Sequence, residues 1–179
     1  MQDYIDLAQK NGVSLLDVGP CQFCGAQTQR GVHECLEIFN IGFQDIDFSN
    51  PAHHKYRFLI VDAHTLQHPE IHGRWNNHFH LSRLHLIFKY NINWTYSLSP
   101  KLSEQLNTYK KDRCNEYLTP PEKLHRGKIT TTDILAVSDN TKLRKNLIIN
   151  WSQEVYDKWN AYHHVVDIVA QDFLKLLNR

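Results

Sequence analysis

Apolar positions recur along most of this chain at intervals of three and four residues, the spacing of one helix face. From Glu34 onward Leu36, Ile38 and Phe39 return at that spacing, followed by Phe43, Ile46 and Phe48. Ser49-Asn50-Pro51 supplies a stop and a restart, with Asn50 as cap and Pro51 as the first helical residue. Residues 52–68 then place Ala52, Tyr56, Leu59, Ala63 and Leu66 on one face, and Pro69 ends that helix. A third helix is predicted over about residues 76–90, with His80, Leu84, Ile87 and Phe88 as its core stripe. A fourth follows Ser99-Pro100 through Leu102, Leu106 and Tyr109, and Thr130 to Asp133 reads as the cap of a fifth before Ile134, Leu135 and Val137. The last segment, residues 141–178, contains neither Pro nor Gly. It sets Ile148, Trp151, Val155, Trp159, Tyr162, Val166, Ala170, Phe173 and Leu177 on one broad face, predicting a long amphipathic helix broken at most once, near Asn150.

The interruptions are as informative as the periodic stretches. Residues 1–19 read as a short helix or extended arm ending at Gly19-Pro20, residues 20–33 as an aperiodic loop, and residues 117–128, with Pro120-Pro121 and Arg126-Gly127, as another loop. Seven glycines in 179 residues argue against a β protein of many tight turns. The expectation is a mostly α protein: a helical bundle with an N-terminal zinc-binding loop, one domain over 1–179. Within it, 1–19 is an arm, 20–48 a Cys/His segment and 50–179 the bundle. A chain of this length can bury a substantial core.

Charge narrows the function classes by exclusion. A net charge of +1 creates no global field for nucleic acid or anionic membrane. No apolar run approaches the roughly 20 residues that span a bilayer, and the start Met1-Gln2-Asp3-Tyr4-Ile5-Asp6 lacks the basic and apolar regions of a secretory signal. A cytoplasmic location is the expectation. In that reducing compartment four cysteines read as thiolates, ligands or small buried hydrophobes rather than disulfides.

The sharpest chemical signal is Cys21-Gln22-Phe23-Cys24-Gly25. Two cysteines separated by two residues form a turn aiming both sulfurs at one ion, and the following glycine lets backbone N–H groups approach the thiolates. With His33 and Cys35 the pattern becomes C-x2-C-x8-H-x-C, a zinc donor set of three thiolates and an imidazole. The fourth position is open to His33, His72 or Cys114. A redox pair is the rival use of C-x-x-C, but that motif belongs at a strand-to-helix junction, and no strand pattern precedes Cys21.

Twelve histidines are the compositional outlier, eight of them between His53 and His85. His80 falls on an apolar helix face, and His163 sits at the edge of another, with Asp167 one turn on to orient or ligate. Asp62 borders a core face, and His68 closes its helix before Pro69. Facing bundle helices build metal sites from such residues, so Asp62, His68, His80 and His163 form the candidate catalytic set. Against this, a single histidine on an apolar face is more often a hydrogen-bonded core residue. His64 with His68, and His78 with Ser82 and His85, are expected on outward, solvated faces.

The ordered motifs Cys21-x-x-Cys24-Gly25-Ala26, Cys35, Val61-Asp62-Ala63-x-x-x-Gln67-His68-Pro69 and His80-Leu81 resemble an uncharacterised bacterial family, domain of unknown function 5946. Pro120-Pro121, Arg126-Gly127 with Thr130 and Asp133, and Trp151-x-x-x-Val155-x-x-x-Trp159-x-x-x-His163-His164 continue the resemblance over roughly residues 20–175. It implies that Asp62, Gln67, His68, His80, His163 and His164 belong to the family pattern, and it brings no activity with it. The chain departs from that pattern at His64, where an aromatic is expected, and at Tyr156, where a tryptophan is.

Two functional expectations follow. One is a zinc protein with a structural Cys/His site and a His/Asp pocket supporting hydrolysis or thiol transfer at an open metal position, by fold-level analogy with four-helix enzymes such as bacillithiol transferases. The other is a non-enzymatic, zinc-stabilised module that binds a small molecule or protein partner.

Overall fold

The computed structural model describes residues 3–44, 46–112 and 118–177. Among them the chain forms eight α-helices and no strand: α1 (Asp3–Lys10), α2 (Gly31–Ile41), α3 (His54–Gln67), α4 (Arg74–Phe88), α5 (Leu98–Asp112), α6 (Thr131–Ala136), α7 (Thr141–Lys158) and α8 (His163–Leu177). Three 3-10 turns precede α3, α4 and α8, at Pro51–His53, Pro69–Ile71 and Asn160–Tyr162.

Local chemistry sets most of these boundaries as the sequence predicts. The Asn50 side chain accepts the Ala52 N–H with Pro51 following, although the first turn is 3-10 and the α-helix proper starts at His54. Thr130 and Asp133 form a reciprocal capping box for α6. Residues 118–130 are without helix.

The C-terminal segment corrects the single-helix expectation. It breaks at Trp159, not near Asn150, and resumes after a 3-10 turn at His163. The indole N–H of Trp159 donates to the Leu66 carbonyl oxygen at 3.2 Å, so a fully buried ring holds the chain at the end of α3 while the backbone changes direction. Pattern alone sees only an uninterrupted apolar face there.

Helices α3, α4, α7 and α8 make the bundle, with α5 against α4 and α8, and α6 joining α2 and α7. Its centre holds Leu59, Leu66, Leu81, Leu84, Trp151 and Trp159. A second core of Phe58, Leu86, Trp94, Leu102 and Phe173 fills the α5 end. A third gathers Ala8, Phe23, Val32 and Ile71 around Cys21, Cys24 and Cys35.

The central position of α4 overturns another expectation. It packs against α3, α5, α7 and α8, and from Asn77 to Leu86 only Phe79 and His80 are even partly exposed. His78, Ser82 and His85 are buried, as are His64 and His68 on α3 and its cap. A one-sided amphipathic stripe is a surface-helix signature; a helix enclosed by four others carries buried polar residues on several sides.

Candidate metal centre

The segment carrying Cys21 and Cys24 has no regular structure of its own and is folded back by its ends. Gly19 N–H donates to Gln29 O at 2.8 Å and Gly31 N–H to Gly19 O at 2.9 Å, pinching residues 19–31 into a closed loop. Gly31 stands at φ +56°, and a Cβ there would lie 2.1 Å from the Leu16 carbonyl oxygen, so only glycine fits. Within the loop, Gly25 N–H donates to Cys21 O at 2.8 Å with Gly25 at φ +78°. This tight turn brings Cys21 and Cys24 to one side. The pinch also starts α2 at Gly31, which presents Cys35 one turn later, buried beside Val32.

The fourth donor is His68. The Sγ atoms of Cys21, Cys24 and Cys35 and an imidazole nitrogen of His68 all lie within 4.8 Å of one another, in the only such donor cluster found among the described residues. Cys21, Cys35 and His68 are fully buried and Cys24 nearly so. Cys24 and Cys35 Sγ are 3.8 Å apart, and His68 Nε2 lies 3.4 Å from Cys21 Sγ and 3.5 Å from Cys35 Sγ. A tetrahedral ion with bonds of about 2.3 Å to sulfur and about 2.0–2.1 Å to nitrogen would separate its ligands by about 3.8 Å (S–S) and about 3.5 Å (S–N). The donor spacing therefore fits a tetrahedral ion, and 3.8 Å is far beyond the roughly 2.05 Å of a disulfide.

His68 is prepared for this role by its surroundings. Its Nδ1–H donates to the His64 carbonyl oxygen at 2.7 Å, leaving the Nε2 lone pair for a metal. Its ring stacks on His64 at 4.1 Å, and His64 stacks on Phe39 at 4.0 Å. The carbonyls at the end of α3 would otherwise be unsatisfied. Besides His64 O, Leu66 O accepts the Trp159 indole and Gln67 O accepts from the Arg126 guanidinium at 3.1 Å. Arg126 in turn makes a two-point ion pair with Glu70, at 2.6 and 2.7 Å. The Gln67 amide donates to Ile129 O at 2.9 Å and accepts the Trp151 indole N–H at 3.1 Å. Gln67, Arg126, Trp151 and Trp159 thus fix the helix end from which the ligand projects. Among the thiols, hydrogen bonds from Cys24 and Cys35 lower the Cys21 pKa far below its ordinary value, against the effect of burial. The Thr131 hydroxyl lies 3.7 Å from Cys35 Sγ.

His33 is not part of the cluster. Two positions before Cys35 on α2, it lies about 200° round the helix from that ligand. It pairs instead with the Tyr4 hydroxyl and, at 2.8 Å, with Asp17. The pattern C-x8-H-x-C treats His33 and Cys35 as neighbours in a loop, whereas a helix turns them apart. His72 is also outside the cluster, and Cys114 lies outside the described residues.

The four residues expected to share a catalytic pocket are distributed over three neighbourhoods. His68 belongs to the thiol cluster. Asp62 and His80 meet, with His80 Nδ1 at 2.5 Å from Asp62 Oδ1, but the Arg83 guanidinium grips the same carboxylate, its Nε at 2.8 Å from Oδ2. Arg83 is enclosed by the rings of Phe58, Phe79 and Trp94, at 4.8, 4.9 and 5.9 Å. Burial lowers the His80 pKa, outweighing the hydrogen bond and charge of Asp62.

His163 lies elsewhere, its Nε2–H donating to Tyr156 O at 3.0 Å and its ring stacked on Tyr156 at 4.0 Å. Asp167 serves His85, not His163, at 2.8 Å, together with Lys89 and Tyr90 at 2.7 Å each. Burial works to raise the Asp167 pKa, but these hydrogen bonds hold it well below the ordinary carboxylate range. The His85 Nδ1 meets the Tyr156 hydroxyl at 2.9 Å. His164 is exposed.

Sequence reasoning assigned His68 to the wrong neighbourhood and missed Arg83. Both left a trace: His68 sits between a helix end and Pro69, a place that frees a side chain from the helix face, and Arg83 follows His80 by three residues, hence on the same side.

No helix among the described residues is long and apolar enough to cross a membrane. No curated protein and no solved structure matches the chain. A family profile matches residues 19–160, spanning both the thiol cluster and the helix end that completes it, and the chain belongs to this family of unknown function, DUF5946.

Proposed function

We propose that this is a zinc protein whose ion is structural, and that the chain acts as a metal-stabilised binding module rather than as a catalyst at the metal. The carrying observation is that four donor atoms, of three thiols and one imidazole, all buried, lie within 4.8 Å of one another. Catalytic zinc sites keep three protein ligands and an open position for water or substrate, whereas closed cysteine-rich sites are structural. The ion would join the otherwise irregular residues 19–30 to the end of α3, uniting the N-terminal core with the bundle. Soft thiolate donors favour zinc over magnesium or calcium, and a reducing cytoplasm would keep such thiols available.

Metal content per chain, measured by mass spectrometry on untagged protein, tests this reading. One equivalent of zinc is expected, lost in His68→Ala and retained in His33→Ala and His163→Ala. A second equivalent that disappears with His163→Ala would restore the metalloenzyme reading. No metal in reduced protein would remove both.

A further inference from the structure

A cleft of about 620 Å³ lies between the N-terminal half of α4 and the start of α5. This volume is within the roughly 300–1,000 Å³ range of small-molecule sites. Trp75, Phe79 and Tyr96 supply aromatic surface, Asn76 and Asn107 supply amides, and His80 reaches it from the core side. Trp75, Asn76, Phe79 and His80 occupy positions i, i+1, i+4 and i+5 of α4 and so share one face.

The chemistry of His80 is fixed from behind. Its Nδ1 is committed to Asp62, and Arg83 supplies the charge that balances that carboxylate. Ser99, which also lines the cleft, holds this arrangement by accepting from the Trp94 indole at 3.1 Å and from Arg83 at 3.4 Å. With Nδ1–H donated to Asp62, the second ring nitrogen, Nε2, is a hydrogen-bond acceptor. No hydrogen bond to Nε2 forms among the described residues, and no Asp, Glu, Lys or Arg among them lines the cleft.

We propose that this cleft binds an uncharged, planar heterocycle that stacks on its aromatic walls and donates an N–H to His80 Nε2. Among the described residues an anion would find no cation in the lining, and a cation no carboxylate, because Asp62 is already neutralised by Arg83. A planar ring satisfies the aromatic surface, and ring nitrogens and carbonyls match the two asparagine amides. The assignment rests on the binding-module reading and names what the module takes.

The test is an NMR titration of the full zinc-loaded chain with theophylline and caffeine. These neutral purine derivatives differ only in whether the imidazole nitrogen carries a hydrogen or a methyl group. Theophylline is expected to bind about three- to ten-fold more tightly, the range of one net hydrogen bond, and to shift the His80 Nε2 resonance. His80→Phe should erase the preference. Tyr96→Ala, at a half-exposed position, should weaken both probes about five-fold or more through lost stacking. No binding of either probe at about 10 mM, equal affinities for the two, or a preference surviving His80→Phe would overturn the assignment. Zinc content measured on the same samples separates this outcome from failure of the structural-metal reading, since neither variant touches the thiol cluster.

Discussion

Two buried polar clusters, one at the C-terminal end of α3 and one nearer its middle, solve the same electrostatic problem in opposite ways. At the C-terminal end, Cys21, Cys24, Cys35 and His68 converge with no lysine or arginine in the cluster. Held as thiolates, these sulfurs would be costly to bury without a cation, and on the proposed reading that cation is an ion from outside. Nearer the middle of the helix, Asp62 is equally buried and its cation is built into the chain: Arg83 grips the carboxylate, and His80 completes its coordination. A histidine and a carboxylate in contact resemble half of a metal site, yet the guanidinium has already taken the place an ion would occupy. The lesson is that donor residues identify a metal centre only once the charges facing them are counted.

This contrast can be broken at either end. The largest effect is expected from His68→Ala or Cys21→Ser, which should abolish metal binding and lower stability by about 5 kcal/mol or more. The change would be read as loss of zinc together with a lowered urea midpoint and rapid proteolysis within residues 11–30. Zinc retained at wild-type level in either variant would refute the four-ligand assignment.

Arg83→Met should cost about 3–5 kcal/mol, because it leaves the Asp62 carboxylate buried and unpaired, while zinc content stays unchanged. If the variant instead acquired a second metal equivalent, that would sharpen the comparison: Arg83 would be shown to stand in for an ion.

Acid should destabilise the fold through histidines that burial keeps neutral. Burial lowers His80 and His85, and it brings His72 from 6.5 down to about 3. Below about pH 6.5 the unfolded chain takes up protons at these positions that the folded chain does not. Their contribution to stability is therefore complete above about 6.5 and is lost progressively toward about 3. Urea midpoints should fall between about pH 7.5 and about 5.5; equal midpoints would show that these histidines titrate normally.

Smaller changes complete the series. Tyr156→Phe removes the hydroxyl at His85 Nδ1 and should cost about 1–3 kcal/mol by leaving that buried nitrogen unpaired. His33→Ala removes a partly exposed pair with Asp17 and should cost less than about 1 kcal/mol with no loss of zinc, in contrast to His68→Ala.

The sequence by itself determined the elements whose signals are local. Asn50-Pro51, Pro69 and the Thr130–Asp133 box mark helix ends because capping and proline sterics act within one turn. Cys21-x-x-Cys24-Gly25 was legible as a candidate metal knuckle because four residues suffice to make the turn. Three of the four donors were legible for that reason. The fourth was not, since His68 reaches the thiols from 33 residues beyond Cys35 and only the packing of α3 against the N-terminal core decides that it, rather than His33, faces them. The tertiary structure alone also decided that α4 is flanked by four helices with His78, Ser82, Arg83 and His85 buried, that Asp62 is answered by Arg83, and that the C-terminal helix bends at Trp159. Each of these depends on which surfaces meet at long range, and hydrophobic spacing along one helix carries no information about how many neighbours that helix will have.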